Sequence, residues 1–441
     1  MEKFARRVVA GIVSCAFAAA AADSDVRGRR AEGEILRVDG DRLNRRVAEL
    51  AEIGRTAEGG VHRPAFSGED LKAREKVIAW MNEAGLEVRI DAAANIIGRR
   101  EGSDPRQPPL VAGSHLDTVP QGGRYDGAAG VLAALECVQV MKDTGRLTRH
   151  PVEVVVFADE EGGTVGSSAW VGDLTAEALD APSLSGKSVR EGIAYLGGNP
   201  SRLPEAVRRP GSVAAYLELH IEQGGLLASK GIPIGLVEGI VGIRRWTVVV
   251  EGSANHAGTT PMNIRRDALV AASRFILDVR RVVTSTPGRQ VGTVGQIRVE
   301  PGAPNVIPGR AVLTLELRDL EEPTIQRLFE MVRQAARGIG DETGTAFSFT
   351  PLGGAARPAI MDPRIREAIA AAAERLGFPV MSLPSGAGHD AQNAARLAPA
   401  GMIFIPSRDG ISHSPREFSE PAHLAAGADV LLAALLDLDA R

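Results

Sequence analysis

Residues 152–162 read Val-Glu-Val-Val-Val-Phe-Ala-Asp-Glu-Glu-Gly. The run from Val152 to Ala158 is rich in β-branched and aromatic side chains, the pattern of a strand buried inside a sheet. It ends on two adjacent carboxylates, Glu160 and Glu161. These repel each other and are costly to bury unless a cation pairs with one of them. Two further runs end in the same way. Leu110 to Ala112 reads as a strand that ends at His115, and Val213 to Leu219 as a strand that ends at His220. Three strands thus deliver a metal-ligating side chain at or just past the carboxyl end, where open α/β sheets place their sites.

A chain of 441 residues is too long for one ordinary core, so two domains are expected. Its apolar content of 44% and charged content of 24% are those of a globular protein. A net charge of −4 offers no polybasic footprint, and 4% aromatics offer no base-stacking surface, so no nucleic-acid partner is expected. The two cysteines, Cys15 and Cys137, supply neither a disulfide framework nor a thiolate zinc site. Any metal is then held by nitrogen and oxygen, which suits zinc, manganese, cobalt or nickel. Lys3, Arg6 and Arg7 precede an apolar run from Val8 to Ala22, so residues 1–34 read as a secretory leader or as a disordered extension. The run is too short to span a bilayer, and no membrane partner is expected.

Further along, Leu43, Val47, Leu50 and Ile53 have helical spacing. Ser67 is placed to cap a helix running to about Ala84, with Asp70 as its capping-box partner. Gly130 to Met141 reads as a helix, and Ala181 to Gly211 as a long surface excursion rich in Gly, Pro and Ser. After about Gly239 the texture changes. Strand, helix, strand, strand, helix and strand follow in turn: Trp246–Val250, Arg265–Val283, Val291–Val299, Ala311–Arg318, Thr324–Gly338 and Phe347–Phe349. That order is ferredoxin-like. From Asp362 onward helix and strand alternate again. The expectation is an α/β protein: a mixed-sheet catalytic domain of residues 35–239 and 353–441, with a smaller ferredoxin-like α+β domain, residues 240–352, inserted into it.

The chemistry converges on five residues: His115, Asp126, Glu161, His220 and His413. They can hold two divalent cations if the carboxylate of Asp126 bridges them, which lowers the pKa of a shared water toward neutrality. Asp117, two residues past His115, can brace that ring. Of Glu160 and Glu161, one goes to metal and the other is left as general base; spacing alone does not assign them. Gln223 is a candidate hydrogen-bond partner for substrate. In Asn255-His256-Ala257-Gly258-Thr259-Thr260-Pro261-Met262, His256 can polarise a carbonyl oxygen. Arg318 can fork onto a carboxylate, or pair with Asp319. The turn Gly386 to Asp390, with His389, precedes a helix whose N–H groups can receive an anion.

Six motifs, in order along the chain, carry a resemblance: G-S-H-L-D-T-V (113–119), G-G-R-Y-D-G (122–127), D-E-E-G (159–162), H-I-E-Q-G (220–224), N-H-A-G-T-T-P-M (255–262) and G-A-G-H-D-A-Q (386–392). Together they resemble the metal-dependent amidohydrolases that include N-carbamoyl-L-amino-acid hydrolases, allantoate amidohydrolases and β-ureidopropionases. The resemblance runs from about residue 40 to the end. It implies two divalent metals, zinc or manganese, with Asp126 bridging. His115 and His220 complete one site, and Glu161 and His413 the other. It makes Glu160 the general base and acid, and Asp117 the residue that orients His115. His256 is implied to reach the active site of a second subunit, giving a homodimer through the inserted domain, which also acts as a lid. Gln223, Asn305, Arg318 and His389 are implied to contact a ureido-acid substrate, from which hydrolysis releases ammonia and carbon dioxide. An aminoacylase or peptidase of the same clan is the other enzymatic expectation, and a non-catalytic binding homologue the remaining one. Such enzymes are generally cytoplasmic, and the signal-like leader departs from that.

Overall fold

Four strands whose side chains are all buried build the middle of the protein: β3 (Leu110–His115), β4 (Val152–Phe157), β5 (Ala215–Ile221) and β15 (Ala400–Ile405). They lie in the order β4-β3-β5-β15 and are mutually parallel, with His115 opposite Phe157 and His220 opposite Phe404. Their carboxyl ends therefore share one edge of the sheet. The structure, a computed structural model, describes residues 35–440. The leader expected at residues 1–34 lies outside them.

The sheet reaches nine strands and is mixed. On one side β1 (Glu87–Ile90) and β2 (Ile96–Arg100) add antiparallel to β4. On the other, β6 (Ile234–Ile240) pairs antiparallel with β15 and with β13 (Ala359–Ile360), and parallel with β14 (Val380–Ser385). Helices α1 (Gly40–Ala51), α3 (Ala128–Asp143), α7 (Pro363–Arg375) and α9 (Pro421–Asp439) pack together against it. Helix α9 is long and apolar enough to cross a membrane, yet its Leu424, Leu431, Leu432 and Leu435 are core side chains. Each contributes roughly 1.5–3 kcal/mol by burial.

Helix α2 (Gly68–Glu83) starts where expected, with Ser67 accepting from the Asp70 amide at 3.1 Å. The expected reciprocal bond differs. The Asp70 carboxylate accepts from Phe66 N–H at 2.8 Å, not from Ser67. The excursion at 181–211 is also more ordered than its composition suggests. A Ser188–Glu191 capping box starts a helix, Val189–Tyr195, that buries Ile193 completely.

The chain leaves the large sheet at Ile240 and builds a four-stranded antiparallel sheet in the order β12-β7-β11-β9. These strands are β7 (Gly242–Glu251), β9 (Val291–Glu300), β11 (Arg310–Asp319) and β12 (Ala346–Ala356). Helices α5 (Ala268–Ser285) and α6 (Glu322–Thr343) cover it, around a core of Val248, Val250, Phe275, Leu313, Leu315 and Leu328. The β-α-β-β-α-β order is the expected one. Helix α6 outruns the expected stop at Gly338, because the left-handed cap is Gly344, at φ 67°. A short ribbon pairs β8 (Asn255–His256) with β10 (Val306–Ile307). The amide of Gln392, on the short helix α8 (Ala391–Ala394), donates to Val241 O at 3.0 Å and Arg357 O at 2.9 Å. One side chain thus ties both chain crossings between the sheets.

Candidate metal centre

Three ligand candidates come straight from the parallel strands, because strand polarity fixes which edge they reach. His115 ends β3, His220 lies near the end of β5, and Glu160-Glu161 follow β4. Asp126 arrives on the loop between β3 and α3, and His413 on the loop after β15. The backbone turns sharply here. Asp159, Gln223 and His413 all sit at positive φ, 53°, 57° and 54°, which costs a non-glycine residue roughly 1–3 kcal/mol. At Gly127, φ 61°, a Cβ would lie 2.4 Å from His115 Nε2, so only glycine lets this loop press against the ring.

The five candidates come together around Asp126. Its Oδ1 lies 3.5 Å from His115 Nε2 and 3.2 Å from His220 Nε2. Its Oδ2 lies 3.4 Å from His413 Nε2, which is 3.5 Å from Glu161 Oε1. His115 Nδ1 donates to Asp117 O at 3.0 Å, and His220 Nδ1 to Ile221 O at 2.8 Å. Both rings therefore turn Nε2 toward a carboxylate oxygen in a buried place, and His220 Nε2 also lies 3.3 Å from the Gly127 amide. Glu161 Oε1 is also buried without a hydrogen-bond partner. Such an arrangement is unfavourable unless protons or cations occupy it. The donor set of three imidazoles and two carboxylates, split on the two oxygens of Asp126, fits a pair of divalent cations.

The electrostatics follow from the crowding. Burial would lower the His115 ring, but Glu160, Asp126 and Asp117 hold it well above its usual range. Burial would raise Asp126, but His115, His220 and His413 hold it well below. The Asp126 hydrogen bond lifts His413 to about 9, and burial lifts Glu161 to about 7. Burial also pushes Glu160 well above the carboxylate range, with His115 pulling the other way. Glu160 Oε2 is 3.6 Å from His115 Nε2, so this acid stands beside the cluster and is suited to hold a proton.

Asp117 reaches further than one ring. Its carboxylate accepts from the amides of Glu160 at 3.3 Å and Glu161 at 3.1 Å, so it positions both acids, while its backbone O, not the carboxylate, takes the His115 ring. Gln223 Nε2 donates to Asp126 Oδ2 at 2.7 Å. His389 is buried, edge-on to His220 at 4.5 Å between ring centroids, and bonded to Ser385 Oγ at 2.8 Å. The helix it precedes has four residues, and its first amide, Ala391 N, is taken by Glu218 Oε2. The expected anion-receiving amide there is already occupied. Arg318 pairs with Glu316 at 2.7 Å, not with Asp319, and donates to Gly386 O at 2.5 Å. His256 and Asn305 lie apart, exposed on the ribbon, where Asn305 O accepts from Ala257 N.

Two residues of the site carried no signal for it. Glu417 Oε1 accepts from the amides of Tyr125 and Asp126, and Ser412 Oγ lies 2.9 Å from Asp126 Oδ2. Glu417 is 291 positions from Asp126, and no local pattern links them. Glu218 was legible in principle. An acid two residues before His220 in a buried strand shares its face. It accepts from Ser114 Oγ at 2.7 Å and Tyr216 OH at 3.0 Å.

The family model described as peptidase family M20/M25/M40 matches residues 111–437. The chain is 44% identical to the N-carbamoyl-L-amino acid amidohydrolase of Geobacillus stearothermophilus, over 89% of this chain and 97% of that one. It is 36% identical to the allantoate amidohydrolase of Bacillus subtilis strain 168, over 87% and 93%. A crystal structure of an amidase of the hydantoinase/carbamoylase family from Burkholderia multivorans superposes with a TM-score of 0.85 at 37% identity, over 92% and 99% of the chains.

Proposed function

Because the chain belongs to peptidase family M20/M25/M40, we propose that it is an amidohydrolase that cleaves the linear C–N bond of a ureido acid, an N-carbamoyl-L-amino acid or allantoate. The observation that carries the reading is the split of Asp126: one oxygen toward His115 and His220, the other toward His413 beside Glu161, with Glu160 next to them.

Asp126, His115 and His220 would hold one divalent cation, and Asp126, Glu161 and His413 the second; zinc and manganese both suit these donors, as do cobalt and nickel. Bound there, the ions supply Lewis acidity and bring the pKa of water toward neutrality. Glu160 takes the proton of the attacking water, which adds to the carbamoyl carbon. It then returns that proton to the leaving nitrogen as the C–N bond breaks. For an N-carbamoyl-amino acid, one water is consumed and this cleavage gives the amino acid and carbamic acid, whose remaining C–N bond then breaks spontaneously to give ammonia and carbon dioxide. Arg318 holds the substrate carboxylate and Gln223 its polar end, with Asn305 and His389 as further contacts.

His256 is assigned to the developing oxyanion of a second copy, with the four-stranded unit as lid and dimer contact. Its Nδ1 accepts from Gly258 and Thr259 amides at 3.0 and 3.2 Å, which leaves the proton on Nε2, a donor directed outward. Exposed apolar side chains nearby in sequence, Met262 at 76% and Ile264 at 64%, support a covered surface.

The test is a panel of N-carbamoyl-amino acids, β-ureidopropionate and allantoate, with N-acetyl-amino acids and dipeptides as rivals, each with added manganese, cobalt or zinc. Chelator-sensitive ammonia release from a ureido acid is expected. Cleavage confined to acetyl or peptide substrates would overturn the assignment.

A further inference from the structure

The two oxygens of Asp126 stand in different company. Oδ1 faces only the Nε2 atoms of two buried rings, themselves candidate ligands, His115 at 3.5 Å and His220 at 3.2 Å. Oδ2 accepts from Gln223 Nε2 at 2.7 Å and from Ser412 Oγ at 2.9 Å, and faces His413, which is 47% exposed. Hydrogen bonds draw charge from an oxygen and occupy its lone pairs, so a cation at Oδ2 competes with two donors that a cation at Oδ1 does not meet.

We propose that Gln223 and Ser412 make the two cation positions unequal: the one at Oδ1 is retained, and the one at Oδ2 exchanges with the surrounding solution. This rests on the two-cation reading above. Of the pair, Gln223 has the greater effect. Ser412 has one hydroxyl proton to divide between Asp126 Oδ2 and Glu417 Oε2, 2.8 Å away. The amide of Gln223 is held chiefly at Oδ2, since its Oε1 is buried without a hydrogen-bond partner. Nε2 also lies 3.4 Å from His413 Nε2, so it crowds two of the three ligands of the exchangeable position. Both are positioning residues, acting through Asp126.

The experiment titrates full-length, chelator-stripped protein with Mn²⁺ alone, by calorimetry, with a competing chelator to measure the tight step. Two ions are expected to bind, in separable steps. Gln223→Ala tightens the weak step by roughly tenfold, the worth of one hydrogen bond to a charged group. Ser412→Ala tightens it by less, and neither variant moves the tight step. His413→Ala removes the weak step alone. A weak step that stays put or loosens in both variants overturns the inference, as do two steps that shift together. Uptake of fewer than two ions by the unaltered protein would sink the two-cation reading as well, which separates the two failures.

Discussion

Glu417 grips Asp126 by its backbone: Glu417 Oε1 accepts the Asp126 amide at 3.1 Å, and the Tyr125 amide at 2.9 Å. Oε2 takes Ser412 Oγ at 2.8 Å. The bridging candidate is thus held from behind by a side chain that is itself 3% exposed. Glu417→Ala would leave two buried N–H groups unpaired, at about 1–3 kcal/mol each. Urea unfolding should show that loss, and metal affinity should fall roughly 10–100-fold. Glu417→Gln keeps an acceptor and should lose far less. An alanine variant that unfolds with the unaltered protein would show that this grip is idle.

Glu160 and Glu161 separate by role in a single pair of variants. Glu160→Gln should cut kcat by roughly 10²–10⁴-fold, the range for a general base or acid, while metal content stays unchanged. Glu161→Gln should lower metal content as well. Normal turnover in Glu160→Gln means another group moves the proton.

The Arg318 guanidinium spends Nε on Glu316 and Nη1 on Gly386 O. What remains of its fork is assigned to the substrate carboxylate. Arg318→Lys keeps the charge but not the fork, so KM should rise about tenfold or more with a smaller change in kcat. Glu316→Gln, which frees the guanidinium to wander, should fall between. Unchanged KM in both would reduce Arg318 to a strap between the sheets.

Asp70 gives a pH-dependent stability test away from the metal candidates. Burial pushes its carboxyl from an ordinary 3.8 up to about 6. Between those values the folded protein keeps a proton that the unfolded chain has lost, so stability falls as pH rises through that window and stays reduced above it. Asp70→Asn keeps an acceptor for Phe66 N–H without the charge. Its stability relative to the unaltered protein should improve by up to about 3 kcal/mol between about pH 4 and about pH 7. Parallel unfolding midpoints across that range would contradict the shift.

Part of this centre was written locally. Strand polarity and residue type sufficed to send His115, His220 and the Glu160-Glu161 pair to one edge, because parallel buried strands in one sheet align their carboxyl ends. The β-α-β-β-α-β order from Gly242 to Ala356 was equally local, since each element carries its own period. The stop of α6 was misplaced because Gly338 and Gly344 look alike in sequence, and only Gly344 adopts the left-handed turn. The Arg318–Asp319 pairing failed because adjacent residues on a strand face opposite sides, whereas Glu316 shares the face of Arg318.

By itself, then, the order of amino acids determined which donors exist, which strands carry them and which end of the sheet they reach. Only packing decided where their lone pairs point. The Nδ1 bonds of His115 and His220 are local, to Asp117 O and Ile221 O, but the Glu417 clamp 291 residues from Asp126 and the Gln223 and Ser412 donors on one oxygen only are contacts between distant segments. A hydrogen bond depends on distance and angle in space, and separation along the chain fixes neither.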